Sequence, residues 1–214
     1  MDNPFKGATF VDLDGTLLHG NSLRIFMRRL PRTLLHRRAV GAAMLSLWWM
    51  GWRSLRCVSH RNMKWHLTGI ARRNLLDEDW EEIATLIADD VNTRVVEYVD
   101  SPSRGNCEKY IATAAMSEYA IPLSRLLGYD GVVATQFTDD KSDYVEMRGI
   151  EKRDGIVALL NERHLRLESF LTDHSDDLPT ATLFPNLTIL VNPTRRIQTL
   201  FHHVGVSRYL LTNS

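Results

Sequence analysis

Two aspartates separated by one residue follow a short apolar stretch near the N-terminus. The string is Phe10-Val11-Asp12-Leu13-Asp14-Gly15-Thr16-Leu17, and its glycine permits a sharp turn directly after the second carboxylate. A carboxylate can attack phosphorus when a cation neutralises the phosphoryl oxygens, and a second carboxylate can protonate the leaving oxygen and later activate water. A helix-capping role would explain only one of the two aspartates. The pair therefore predicts phosphoryl chemistry at the end of a strand.

Three later strings carry residues that could complete such a site. Thr113 ends the apolar string Ile111-Ala112-Thr113, and Lys152 opens a helical pattern after Gly149. An acidic loop, Asp173-His174-Ser175-Asp176-Asp177, follows another apolar run. Together with Asp-Leu-Asp-Gly-Thr, these strings in this order resemble the motifs of the haloacid dehalogenase superfamily. The tail from Leu190 to Arg196 and the helical stretch between the first two motifs resemble its phosphoserine-phosphatase-like branch.

The resemblance implies a role for each of four residues. Asp12 would be the nucleophile that forms an aspartyl-phosphate, and Asp14 would be the general acid and base. Thr113 would hydrogen-bond the phosphoryl group. Lys152 would hold the negative charges of the nucleophile and the phosphate together.

The resemblance also implies a Mg²⁺ site, built from Asp12, the main-chain carbonyl of Asp14, Asp173 and Asp177. Mg²⁺ binds hard oxygen ligands, usually a few carboxylates together with water and substrate phosphate. Asp176 is the alternative to Asp177. We prefer Asp177 because its four-residue separation from Asp173 and the Leu-Pro pair that follows it match the family pattern.

The reaction expected is hydrolysis of a phosphate ester. A halide leaves without a proton whereas an alkoxide benefits from one, so Asp14 favours a phosphatase over a dehalogenase. A phosphotransferase or mutase with the same residues stays open as an alternative. The expected substrate is a small anionic phosphorylated metabolite or a lipid phosphate. Phosphoserine is disfavoured because residues 15–76 contain no carboxylate to bind its ammonium group.

The elements that position these residues predict an α/β fold. Segments of helical pattern separate the short apolar runs, which is typical of a mostly parallel, Rossmann-like sheet. The intervening stretch 18–102 is helical, with expected breaks at Pro31 and Gly51 and a new helix near Asp77, and we interpret it as an all-α cap inserted into a core formed by residues 1–17 and 103–214. The predicted strands are 7–12, 110–112, 131–135, 167–172 and 187–191.

Composition bounds the protein class. The chain has 214 residues, of which 44% are hydrophobic and 24% charged, which excludes disordered and fibrous classes. Cys57 and Cys107 have no paired spacing, so neither a zinc site nor a disulfide framework is expected, and no secretory signal is indicated at the N-terminus. A cytoplasmic location is the default expectation.

The net charge of zero argues against a nucleic-acid partner, yet the charge is unevenly distributed. Residues 15–76 carry twelve basic residues and no acidic one, whereas residues 77–100 carry nine acidic residues and one basic one. The basic stretch suits an anionic substrate; alternatively, its arginines form a solvated face paired with the acidic stretch. A membrane- or nucleic-acid-binding module with a vestigial phosphatase core is a further alternative, disfavoured by the complete set of catalytic acids.

The uncharged run 39–52 contains Trp48, Trp49 and Trp52. Its 14 residues fall short of the ~20 needed to span a bilayer, so no transmembrane segment is expected. We interpret the run as a buried cap helix. A substrate-lining role and a peripheral membrane or partner surface remain alternatives.

Overall fold

The computed structural model describes residues 6–101 and 107–212. Within these residues a six-stranded parallel sheet forms the centre, with the strand order β3-β2-β1-β4-β5-β6. The predicted α/β fold class is confirmed. The strands are β1 (Lys6–Val11), β2 (Glu108–Met116), β3 (Gly131–Thr135), β4 (Leu165–Thr172), β5 (Thr188–Val191) and β6 (Arg208–Leu210).

Strand β1 lies in the middle of the sheet because its apolar residues suit burial on both faces. Ala8, Phe10 and Val11 are fully buried, and β1 pairs in parallel with β2 on one side and β4 on the other. The carboxyl ends of these three neighbouring strands therefore meet at one edge. Asp12, Thr113 and Asp173 lie at this edge.

Five helices lie between β1 and β2, and the others follow β2. The first five are α1 (Ser22–His36), α2 (Val40–Ser54), α3 (His60–Asn74), α4 (Asp77–Ala88) and α5 (Thr93–Val99). The later ones are α6 (Ser117–Leu126), α7 (Ile150–Glu162), α8 (Leu178–Leu183) and α9 (Arg195–His202), with a short 3-10 helix at Ser175–Asp177.

Two predicted helix breaks are wrong. Pro31 lies inside α1 and Gly51 lies inside α2. Proline in a helix removes one backbone hydrogen bond and costs about 3 kcal/mol. Leu30 and Leu34 on either side of Pro31 are fully buried, so the packing of α1 offsets this cost. Strand β6, a three-residue edge strand with little apolar signal, was not predicted from the sequence.

The helical insert shares a hydrophobic core with the sheet. Val11 and Leu13 of the β1 end pack in one cluster with residues of α1, α4 and α6. Phe26 of α1 stands between Trp80 of α4 and Tyr119 of α6, with ring centroids 5.9 Å and 5.8 Å away. The insert occupies the predicted place in the chain. Its separation as a domain stays a prediction, and the boundary at 102/103 lies outside the described residues.

Helix α2 departs from the expected burial. The preferred interpretation of the run 39–52 as buried core is wrong for most of its large side chains, since Met44, Leu47, Trp48 and Trp52 are 42–68% exposed. Ala43 and Ser46 are the side chains of this helix that are buried. The physical reason is that α2 packs with its small residues inward. Across the described residues, every helix is too short or too polar to span a membrane.

Candidate active site

The turn after β1 is shaped by Gly15, which adopts a φ of +81°. A Cβ at this position would lie 2.3 Å from Oδ2 of Asp173, so only glycine leaves room for that carboxylate. The Thr16 hydroxyl donates to Oδ1 of Asp173 over 3.2 Å. The turn after β1 and the loop after β4 are therefore fitted to each other.

Lys152 joins two of the predicted acidic residues. It sits in the first turn of α7, is only 4% exposed, and its Nζ lies 2.8 Å from Asp12 Oδ1 and 2.7 Å from Asp177 Oδ1. The other oxygen of Asp177 accepts a 2.6 Å hydrogen bond from the Thr172 hydroxyl. Each oxygen of Asp177 thus has one contact, and each keeps a second lone pair with which it could bind a metal ion.

Thr113 is buried in β2, two residues beyond Ile111, the last residue of β2 that pairs with β1. It lines the same pocket. Its Oγ1 accepts a 3.0 Å hydrogen bond from the Ala115 N–H. The hydroxyl proton of Thr113 is left to donate to a bound group. The Ala115 N–H is committed to Thr113.

Asp14 faces the start of α1. Its Oδ1 accepts a 2.6 Å hydrogen bond from the Ser22 N–H, and its Oδ2 accepts a 3.2 Å hydrogen bond from the side-chain amide of Asn21. Asn21 also caps α1 by accepting from the Arg24 N–H. The helix start therefore holds the Asp14 carboxylate in place.

Burial raises the pKa of three of these aspartates, Asp12, Asp14 and Asp173, above the ordinary aspartate range. At Asp12 the charge of Lys152 opposes the effect, and Asp177 adds to it. At Asp14 the Ser22 N–H opposes it. Burial lowers the pKa of Lys152, but Asp12 and Asp177 raise it by more than burial lowers it. The pKa is therefore above the ordinary lysine value, and the lysine stays protonated.

The donor set fits a hard divalent cation. The raised pKa values mean that nearby cationic side chains do not fully offset the free-energy cost of desolvating the charged forms of Asp12, Asp14 and Asp173. In residues 6–101 and 107–212, no three His, Cys, Asp or Glu side chains form a ready-made metal cage. Mg²⁺ is ordinarily held by one or two carboxylates with water and substrate phosphate, so a partial set of ligands is what it requires.

A pocket of about 220 Å³ opens over these residues. The helical insert contributes Leu23, His60 and Lys64 to its wall, and the segment between β3 and α7 contributes Glu146 and Arg148. No described arginine from residues 15–76 lines this pocket; Lys64 is the basic residue of that stretch that does.

Lys64 is the residue of this wall that the sequence analysis passed over. It is 3% exposed, and its Nζ lies 2.9 Å from Glu146 Oε1 and also donates to the Ala114 carbonyl. Burial lowers its pKa, with Glu146 opposing the effect. The available signal was the scarcity of lysine, because Lys64 is one of only five in the chain.

The acidic loop places its remaining members at the pocket mouth. Asp176 forms an ion pair with Arg148, and His174 lies beside Asp176. Both line the pocket, and the His174 side chain is exposed to solvent. Asp176, the alternative to Asp177, faces Arg148.

Comparison with known proteins agrees with this geometry. The model of one family, described as haloacid dehalogenase-like hydrolase, matches residues 9–182. The chain belongs to the haloacid dehalogenase-like hydrolases. The matched residues include all the predicted catalytic and metal-ligating positions. No curated protein matches this hydrolase significantly.

Solved structures share the fold of this hydrolase. A Bordetella pertussis Tohama I protein of unknown function is 18% identical, with a TM-score of 0.73 over 96% of this chain and 98% of its own. A phosphoserine phosphohydrolase-like protein from Francisella tularensis subsp. tularensis SCHU S4 is 14% identical, with a TM-score of 0.53 over 95% of this chain and 94% of its own. An apo phosphoserine phosphatase is 12% identical, with a TM-score of 0.57 over 96% and 93%. These likenesses show a common fold.

Proposed function

We propose that this hydrolase is a Mg²⁺-dependent phosphomonoesterase that works through an aspartyl-phosphate on Asp12. The observation that carries the proposal is the buried contact of Lys152 with Asp12 and Asp177, with Asp14 at the same pocket. A structural ion pair would not require a second, partly buried carboxylate two residues beyond the first. The phosphatase names of two structures with this fold agree with the proposal.

In the first step, an oxygen of Asp12 attacks the phosphorus, and the bond between phosphorus and the ester oxygen breaks. The leaving alkoxide takes a proton from Asp14, whose raised pKa suits it to hold one. Thr113 donates its hydroxyl proton to a phosphoryl oxygen. Lys152 balances the negative charge on Asp12 and the phosphoryl group.

In the second step, Asp14 is ionised and accepts a proton from a water molecule. The water oxygen bonds to phosphorus, the bond between phosphorus and the Asp12 oxygen breaks, and inorganic phosphate leaves. Asp14 is protonated again and Asp12 is a free carboxylate. The two residues return to their starting states.

Asp12, Asp173 and the main-chain carbonyl of Asp14 would hold Mg²⁺. When bound, the ion neutralises phosphoryl oxygens and reduces the repulsion between the anionic nucleophile and an anionic substrate. Asp177 stands as a fourth candidate. In the present arrangement it contributes by positioning Lys152.

The wall of the pocket bears on the substrate class. Its two acids outside the catalytic set, Glu146 and Asp176, are paired with Lys64 and Arg148 respectively. Neither is free to bind the ammonium group of phosphoserine. We propose a small anionic phosphate ester or a lipid phosphate as the substrate.

A phosphate-release assay with p-nitrophenyl phosphate tests the proposal. We expect activity with Mg²⁺, loss with EDTA, and loss of activity on Asp12→Asn by at least about 10³-fold, because without a carboxylate no aspartyl-phosphate forms. Asp139→Asn, at an exposed loop position, is the matched control and should retain wild-type activity. Equal rates for Asp12→Asn and wild type would refute the assignment.

A further inference from the structure

Helix α2 directs its large apolar residues outward. Val40, Met44, Leu47, Trp48 and Leu55 recur at the spacing of one helix face, and all are exposed, with Met44 at 68% and Leu55 at 74%. We call the exposed apolar residues of this helix and its C-terminal neighbour the α2 face: Val40, Met44, Leu45, Leu47, Trp48, Trp52 and Leu55.

The opposite side of α2 is built for close packing. Ala43 and Ser46 are buried, and the Ser46 hydroxyl donates to the Ala43 carbonyl over 2.7 Å. Nothing lies within 4 Å of the Cβ positions of Gly41 or Gly51, so the space on the outward side is open. Trp49 and Met50 also pack against the core, so the helix is apolar on its inward side and on its outward side, where a soluble protein usually has polar residues. A contiguous face of this kind marks an interaction site.

The tryptophans of the α2 face are held in place. Trp48 packs against both Trp49 and Trp52, with ring centroids 4.8 Å apart in each case. Trp49 in turn stacks on His66 of α3 at 3.6 Å. The half-exposed rings of Trp48 and Trp52 are therefore part of an ordered cluster.

Positive charge flanks the α2 face at both ends. Arg38 precedes the helix, Arg53 lies in its last turn and Arg56 follows it. Within the described residues these three arginines form no ion pair, whereas Arg29, Arg37 and Arg72 pair with Glu82, Asp79 and Glu118. Arg38 and Arg56 are exposed next to the two ends of the helix, where they are accessible to an anionic partner, and Arg53 adds a partly exposed charge in the last turn.

Charge complementarity selects the partner. A second copy docked face to face would bring arginines against arginines, because residues 15–76 contain no acid. A nucleic acid would use the arginines but leave seven apolar side chains without a function. A lipid surface uses both, since apolar side chains enter the acyl boundary, tryptophans lie at the headgroup level and arginines meet anionic headgroups.

We propose that the α2 face docks this hydrolase onto membranes that contain anionic lipid. The α2 face lies close to the pocket along the chain, because residues 55–59 join α2 to His60, the first residue of α3, and His60 lines that pocket. The proposal concerns binding and holds whether or not the phosphatase assignment does.

Co-sedimentation of the full chain with vesicles tests the proposal. The vesicles are phosphatidylcholine alone, or phosphatidylcholine with one quarter phosphatidylglycerol, at about 0.05 M and about 0.5 M NaCl. We expect binding to the anionic vesicles at low salt, with a loss of about 10-fold or more on removing the anionic lipid or on raising the salt. Absence of binding to anionic vesicles at low salt would overturn the proposal.

Two double variants test the α2 face itself. Trp48→Ser with Trp52→Ser removes the interfacial rings, and Arg53→Gln with Arg56→Gln removes two charges; each should weaken vesicle binding about 10-fold or more. The matched controls are Leu126→Ser with Leu183→Ser, which are 54% and 52% exposed elsewhere, and Arg195→Gln with Arg196→Gln. These controls should bind like wild type.

Circular dichroism and hydrolysis of p-nitrophenyl phosphate establish that each variant is folded. Two outcomes would contradict the proposal. One is vesicle binding that falls equally in the controls. The other is a dimer, seen by sedimentation velocity, that the tryptophan variant dissociates, since a second copy would then occupy the α2 face.

Discussion

At the scale of residues, the surroundings of Asp12 and Asp14 suit them to different tasks. Asp12 contacts the cation of Lys152, which favours the anion that attack requires. Burial raises the pKa of both aspartates, but at Asp14 the main opposing contact is the neutral N–H of Ser22, and the neutral amide of Asn21 also donates to this carboxylate. Two nearby carboxylates in unlike environments are the usual basis for separate nucleophile and acid roles.

Asp14→Asn should distinguish substrates by their leaving groups. We expect the rate with an alkyl phosphate to fall by about 10²–10⁴-fold, because the alkoxide then leaves without a proton. The rate at which p-nitrophenyl phosphate phosphorylates Asp12 should fall much less, since nitrophenolate leaves unprotonated. The measurement is the burst of nitrophenol in a rapid-mixing experiment, compared with single-turnover release of the alkyl alcohol. Equal losses for both substrates would exclude Asp14 as the acid.

At the scale of elements, α3 links the helical insert to the catalytic edge. Its Lys64 meets Glu146 and the Ala114 carbonyl, and the Trp65 indole N–H donates to the Thr138 carbonyl over 2.9 Å. Arg72, near the end of the helix, pairs with Glu118 at 2.8 Å. The same helix thus forms one wall of the pocket and fixes the segment between β3 and α7.

The Lys64 and Glu146 pair should show strong coupling in a double-mutant cycle. Each single change, Lys64→Met or Glu146→Gln, should lower the free energy of unfolding by about 3–5 kcal/mol, because it leaves a buried charge without its partner. The double variant should lose much less than the sum. Urea unfolding provides the measurement.

The pair of Arg72 and Glu118 is the matched control on the same helix. The Arg72 side chain is 51% exposed, so its cycle should give a coupling of at most about 1 kcal/mol. If both cycles gave the same small coupling energy, the Lys64 and Glu146 pair would not be the buried ion pair that the structure indicates.

At the scale of the whole molecule, the pocket forms where the insert meets the sheet. One hydrophobic cluster runs from Val11 and Leu13 through Phe26 to Ile83 and Tyr119, so the insert and the sheet stabilise each other. The candidate catalytic carboxylates consequently lie beside this core, with Asp12 buried and Asp14 partly buried. Because they are removed from water, the free energy of unfolding of the entire fold depends on whether they are protonated.

Stability should depend on pH through these carboxylates. Asp14 has a raised pKa in the folded state, so the folded protein holds a proton that the unfolded chain releases above about pH 4. The charged form of Asp14 therefore destabilises the metal-free fold, and this effect grows as the pH rises toward the folded pKa and is absent below about pH 4. Asp14→Asn should be more thermostable than wild type at pH 8 in EDTA, and the gap should close as the pH falls.

Scanning calorimetry across this pH range measures the gap. Asp139→Asn, at an exposed position, is the control and should show no pH-dependent gap. Added Mg²⁺ should stabilise wild type most at the higher pH, where its ligands are ionised. A wild type more stable than Asp14→Asn at pH 8 without metal would contradict the raised pKa.

The sequence by itself determined the sheet core, the family and the positions of the catalytic candidates. Strand ends are readable because burial on both faces demands continuous apolar runs, as in the residues before Asp12, and the glycine turn after Asp14 is a local property of the backbone. Strands β1 to β5 were found within a few residues. Among the strands of the described residues, only the edge strand β6, which buries little apolar surface, was not predicted.

Tertiary structure decided the remaining features, because they depend on contacts between residues far apart in the chain. The Lys64 and Glu146 pair joins positions 82 residues apart, and nothing in the local pattern of either one indicates the other. The outward α2 face was equally hidden, since an apolar run has the same composition whether its large residues point in or out. Packing determined which side of α2 was buried: Ala43, Ser46 and Trp49 lie toward the core, whereas Trp48 and Trp52 do not.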